Sequence, residues 1–236
     1  MTLPHGRARL AALAFAMLFP SLAAWLYFVV YSGKPSMRTV YAVTKTLQFA
    51  FPVLWMLYAS KDRLRLRAPG FRFVGTGIAL GVLGSLIVGL VYALALRGSS
   101  LMEGTPAVLL EKLQGFGATT PARFALLGAF IAVIHSWLEE YYWRWFVFAE
   151  LRRDISSISA VLVSSLAFAA HHVIVIGSYL EWQHLPVIAL FSGAVALAGA
   201  AWAWLYLRSG SLVSPWISHL VVDVALMIIG YDLIWG

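Results

Sequence analysis

Seven apolar runs, each long enough to cross a bilayer as a helix, are separated by short polar stretches. About 20 apolar residues at ~1.5 Å rise span the hydrocarbon core. The first run, Leu10–Tyr31, is uncharged, and although Arg7 and Arg9 before it resemble a signal-peptide start, its length predicts a retained span. Thr39–Ser60 follows, with Lys45 near one end and Pro52 as a kink, and Phe73–Leu96 is the third. Within the third, Gly77, Gly81, Ser85 and Gly89 recur every four residues and place small side chains along one helix face, a packing feature. Residues 97–120 form the longest loop, where Thr105 and Pro106 open a short interfacial helix reaching Gln114. The fourth run extends from about Ala122 to Phe148, the fifth is Ile155–Leu180 and the sixth Leu185–Leu207. In the sixth, Ser192, Gly193, Ala196, Gly199 and Ala200 suit a crowded interior. The seventh, Leu212–Ile234, is predicted to start with Ser214 as N-cap and Pro215 in the first turn.

This pattern predicts an all-α, polytopic transmembrane helical bundle of about seven spans (seven to eight). It reads as one integral-membrane domain over residues 1–236. Residues 1–120 give three spans and the loop helix, and residues 121–236 give a motif-bearing core.

Composition narrows the class. The chain is 61% hydrophobic and 11% charged, with mean hydropathy +0.84, whereas soluble domains carry roughly 25% charged residues. The net charge of +7 is not a nucleic-acid footprint, because the basic residues fall in short loops between apolar runs. Basic loops at the N-terminus, at 61–72, 149–154 and 208 alternate with balanced or acidic ones at 97–123 and 177–184; only Lys34 and Arg38 dissent. The positive-inside rule then puts the N-terminus in the cytoplasm and the C-terminus outside. With no cysteine in the chain, thiolate metal ligands, disulfides and a cysteine nucleophile are excluded.

Ionisable residues inside the apolar runs are costly and need partners. In the fourth run, Glu140 and Arg144 are four apart and can pair on one helix face. Glu139 has no such cation, but His135 lies four before it. The two adjacent carboxylates therefore have different surroundings, one neutralised and one free to react. His171 and His172 sit in the middle of the fifth run, and His219 and Asp223 share a face of the seventh. A bundle satisfies such groups by turning them toward one another or toward water. The economical reading is one polar pocket of Glu139, Glu140, His172, His219 and Asp223. Read at constant rise, His219 and Glu139 reach similar depth while His172 lies deeper, unless Ile155–Ser159 is an interfacial turn and the fifth span starts later.

Three motifs, Glu139-Glu140-x-x-x-Arg144, Phe168-x-x-x-His172 and His219-x-x-x-Asp223, match in order and spacing those of the CPBP (Abi) family of CAAX-protease-like intramembrane proteases. The resemblance covers roughly residues 120–230. It implies peptide-bond hydrolysis within the bilayer, with Glu139 as the general base activating water. His172 would hold that water or bind metal, His219 and Asp223 would line the pocket where negative charge develops, and Glu140 with Arg144 would be structural support. If a metal is used, Glu139, His172 and His219 are its candidate ligands and zinc the candidate ion. A reaction needing no cofactor is favoured, since no His-Glu-x-x-His helix is present. One position departs from the family, where the last motif residue is often Asn; an ionised Asp223 cannot donate to an oxyanion. His171 competes with His172 for its role, and His135 is a further candidate beside Glu139.

The expected partners are the lipid bilayer and a membrane-embedded or lipid-associated peptide or protein, with no nucleic acid. The expected location is the bacterial cytoplasmic membrane. Two rivals remain at this level. A proton-coupled transporter would also place Glu, His and Asp inside helices, but the chain shows no inverted repeat. A non-catalytic immunity or scaffold protein would keep the same fold.

Overall fold

The computed structural model describes residues 6–59, 70–180 and 182–236. Their regular structure is entirely helical. Among the described residues, seven helices are long and apolar enough to span a membrane: α1 (Gly6–Val30), α2 (Met37–Leu57), α3 (Val74–Leu96), α5 (Pro121–Leu151), α6 (Ser157–Leu180), α7 (Leu185–Ser209) and α8 (Val213–Trp235). A shorter helix, α4 (Thr105–Phe116), fills the longest loop. The protein is an integral, multi-pass membrane protein. The basic stretch 61–69, which the sequence marks as cytoplasmic, lies outside the described residues.

Several boundaries differ from the expectation for local reasons. The fifth span begins at Ser157, so Ile155 and Ser156 precede the helix while Ser157 and Ser159 belong to it. The Ser156 hydroxyl accepts from the Ser159 backbone N–H, which ends the turn and starts the helix. Ser214 is not the N-cap of α8. That position is Leu212, and the Ser214 hydroxyl instead donates to the Phe73 carbonyl at 2.7 Å. A cross-helix partner outcompetes the local one.

Small residues let α3 lie directly on α8. A Cβ at Gly77 would run into the Ser214 carbonyl, and one at Gly81 would meet the Ser218 carbonyl at 2.9 Å. The next small residue, Ser85, donates to the Val221 carbonyl at 3.1 Å. The seam opens at Gly89, where a Cβ would meet nothing. In α7, Gly199 and Ser192 are buried, but Gly193 is exposed and outside the crowded face.

The core sits between α1, α5, α6 and α7, around the buried rings of Tyr142, Trp143, Phe146, Phe168 and Trp202. The Tyr142 hydroxyl donates to the Ala16 carbonyl at 2.7 Å, pinning α1 to α5. Near the same end of the bundle, Arg9 pairs with Glu150 at 3.0 Å and Asp154 at 3.1 Å. At the other end, α4 closes over α1 as the Lys112 ammonium donates to the Phe28 carbonyl and the Ser32 hydroxyl. Burial lowers the pKa of that ammonium, with Glu111 opposing.

Candidate active site

The fourth span is not a uniform α-helix. Two wide π-helical stretches, Phe130–His135 and Tyr141–Phe148, flank one α-helical turn, Ser136–Glu140. Such widenings change the angular register of side chains and recur at functional positions in helices. Here they bracket the Glu-Glu pair, and both carboxylates are buried.

Glu140 is held from two sides. Its Oε1 accepts from His219 Nδ1 at 2.8 Å and forms an ion pair with Arg144 Nη1 at 3.2 Å. Arg144 is fixed in turn by the Gly199 carbonyl at 3.1 Å and lies over the Phe168 and Trp202 rings. The intrahelical pair was legible in the spacing; the bond to His219, which ties the first motif to the third, was not.

Glu139 faces the interior of the bundle and collects four nitrogen-bearing groups. His135 Nε2 lies 3.2 Å from Oε1, His171 Nε2 3.7 Å from Oε1, and His219 Nε2 3.9 Å from Oε2. The fourth comes from another helix, since Glu139 has no cation four residues away on its own. Lys45 Nζ, from α2, lies 4.0 Å from Oε1 and is buried. On sequence alone Lys45 read as a residue near a helix end. The Tyr41 hydroxyl, also from α2, lies 3.5 Å from His135 Nδ1, so this imidazole bridges α2 and Glu139.

His171 and His172 are adjacent rings 4.1 Å apart, with different partners. His171 presents Nε2 to Glu139 and lies parallel to the Trp143 ring. His172 donates Nδ1–H to the Phe168 carbonyl at 3.0 Å, one turn back, which leaves Nε2 as the acceptor nitrogen of the neutral ring. That bond gives the Phe168-x-x-x-His172 spacing its physical meaning. His219 stacks on Trp202 at 3.9 Å, and Trp202 Nε1–H donates to Ser218. Asp223 Oδ1 lies 3.6 Å from His219 Nε2.

The structure thus brings Glu139, Glu140, Arg144, His135, His171, His219 and Asp223 into one cluster, with His172 against its edge. As placed, no three His, Asp or Glu side chains among the described residues converge as a metal-binding group. Beside the cluster, an apolar groove of about 410 Å³ runs between α5 and α8, lined by Phe124, Ala129, Ala132, Leu220, Val224 and Met227 among others.

Residues 121–225 match the family described as Rce1-like, type II CAAX prenyl endopeptidase. This is the CAAX-protease-like family that the three motifs resemble, and the matched stretch contains all three. The chain has no match among the curated proteins or among the solved structures.

Proposed function

We propose that this protein is an intramembrane endopeptidase that cleaves a lipid-modified C-terminal peptide, using water activated by Glu139. The observation that carries the reading is a buried carboxylate with three imidazoles within 4 Å, inside a helix bundle. The family description supports peptide hydrolysis next to a prenyl group, and the apolar groove beside the cluster suits an isoprenoid chain.

In this mechanism Glu139 takes a proton from water as the water oxygen attacks the scissile carbonyl carbon, and the carbonyl π pair moves onto oxygen. When the tetrahedral intermediate collapses, the C–N bond breaks and the amine nitrogen takes the proton from Glu139. His172, with Nδ1–H committed to Phe168, has Nε2 available to hold the attacking water. Glu140 fixes His219 through Nδ1, and Arg144 balances the Glu140 charge. The loop charges favour an N-terminus in the cytoplasm, and on that orientation the peptide enters from the cytoplasmic leaflet.

The test is cleavage of an internally quenched, farnesylated C-terminal peptide by the purified protein in detergent micelles. Glu139→Gln keeps the shape but cannot take the proton, so kcat should fall by about 10²–10⁴. A folded Glu139→Gln protein that cleaves at the wild-type rate would sink the mechanism.

A further inference from the structure

One charged side chain in the cluster has no assignment in the mechanism above. Lys45 lies eight residues into α2, about 12 Å from its start, with Thr44 and Gln48 buried beside it. A lysine free to snorkel carries its charge to the membrane surface. The Lys45 side chain is instead 10% exposed, its ammonium 4.0 Å from Glu139 and 5.4 Å from the centre of the Phe49 ring.

Two other donors of the cluster already face acceptors. Arg144 serves Glu140 and the Gly199 carbonyl, and its guanidinium is covered by two rings. His219 has Glu140 on Nδ1, with Asp223 and Glu139 facing Nε2. Asp223 in its ionised form has no proton to donate. The cluster is thus rich in acceptors, and the Lys45 ammonium brings three N–H donors to it.

We propose that Lys45 is a catalytic residue that stabilises the oxyanion of the tetrahedral intermediate. The proposal rests on the hydrolytic reading above. A water hydrogen-bonded to Glu139 lies about 2.8 Å from its oxygen, and the carbonyl it attacks projects its oxygen to within reach of a cation 4.0 Å from that carboxylate. The ammonium donates a hydrogen bond to the developing oxyanion and keeps its proton throughout. Proton bookkeeping stays between water, Glu139 and the leaving amine. A donor aimed at charge that exists only in the transition state accelerates the chemical step and leaves ground-state binding almost unchanged.

The test uses the farnesylated peptide, its uncleavable reduced-amide analogue and its phosphonate analogue, which mimics the tetrahedral anion. Lys45→Met should lower kcat by about 10²–10³ with KM within about threefold. Phosphonate affinity should drop by a factor similar to that in kcat/KM, while reduced-amide affinity stays within about threefold. If Lys45 only neutralised Glu139 to hold the fold, both analogues would weaken together; that result overturns the proposal, as does a wild-type kcat. Should Lys45→Met not fold, Lys45→Gln takes its place, and its kcat should still fall at least about tenfold; no fall overturns the proposal. A Glu139→Gln protein that retains activity defeats the hydrolytic reading itself. An inactive Glu139→Gln beside a fully active Lys45→Met defeats only the role of Lys45.

Discussion

Glu140 and His219, on α5 and α8, share a 2.8 Å hydrogen bond through His219 Nδ1, and Arg144 reaches the same carboxylate oxygen at 3.2 Å. One buried acceptor therefore sets the orientation of an imidazole on another helix and holds a guanidinium on its own. Replacing Glu140 with Ala should strand Arg144 without its counter-charge, at a cost of about 3–5 kcal/mol. For a chain of this size that is a fall of roughly 10 °C in Tm, measurable by thermal unfolding in detergent. Arg144→Lys should also destabilise, because an ammonium cannot reproduce the guanidinium fork that serves both Glu140 and the Gly199 carbonyl.

The two adjacent histidines should separate by kinetics. His172→Ala should cost at least about 10² in kcat, as expected for loss of a group acting directly in proton transfer or water positioning. His171 contacts Glu139 from the side and packs flat against Trp143. Its replacement by Ala should lower kcat less than His172→Ala does and also lower Tm. Single-turnover cleavage together with thermal unfolding distinguishes the two; equal kinetic losses would contradict the assignment.

Filling the apolar groove tests the lipid-modified substrate. Ala129 lines it and is exposed there, so a tryptophan can be accommodated without disturbing the core. Ala129→Trp should raise KM for the farnesylated peptide at least about tenfold, equivalent to roughly 1.4 kcal/mol of lost binding, while kcat changes little. Cleavage of an unprenylated peptide should be unaffected.

The seam between α3 and α8 makes a stability prediction with an internal control. Gly77→Ala places a methyl against the Ser214 carbonyl and should cost about 1–3 kcal/mol by forcing the two helices apart. Gly89→Ala meets open space on the same helix face and should be neutral or slightly stabilising. Thermal unfolding of the pair makes the comparison.

Metal dependence is a direct measurement. If Glu139 activates water unaided, activity should survive dialysis against a zinc chelator. The purified protein should contain well under one equivalent of zinc by elemental analysis. Activity that vanishes on chelation and returns with zinc would require the cluster to rearrange around an ion.

The span pattern and the three motifs were readable from the chain because each depends on spacing along one helix. Glu140 with Arg144, His135 with Glu139 and His219 with Asp223 are all four-residue pairs, and all three meet in the structure. Relations between helices were not readable in this way. Nothing in the sequence aims Lys45 at Glu139 or His219 at Glu140, because those contacts depend on how α2 and α8 are rotated against α5. The π-helical turns on either side of Ser136–Glu140 were also hidden, since a widened turn leaves the hydrophobic pattern almost unchanged. Ser214 shows the limit for local rules: its sequence context suited an N-cap, yet the Phe73 carbonyl of a neighbouring segment captured the hydroxyl.

The glycine seam has a consequence for how such proteins diverge. The motif residues lie in α5, α6 and α8, but α8 is seated against Gly77 and Gly81 of a helix outside the family-matched stretch. A chimera that kept residues 121–236 behind foreign leading helices would inherit every signature residue and lose the surface that sets the height and roll of His219. Possession of the motifs and possession of a working centre are then separable traits, and drift in the unsigned front half can silence the back half without touching a single signature position.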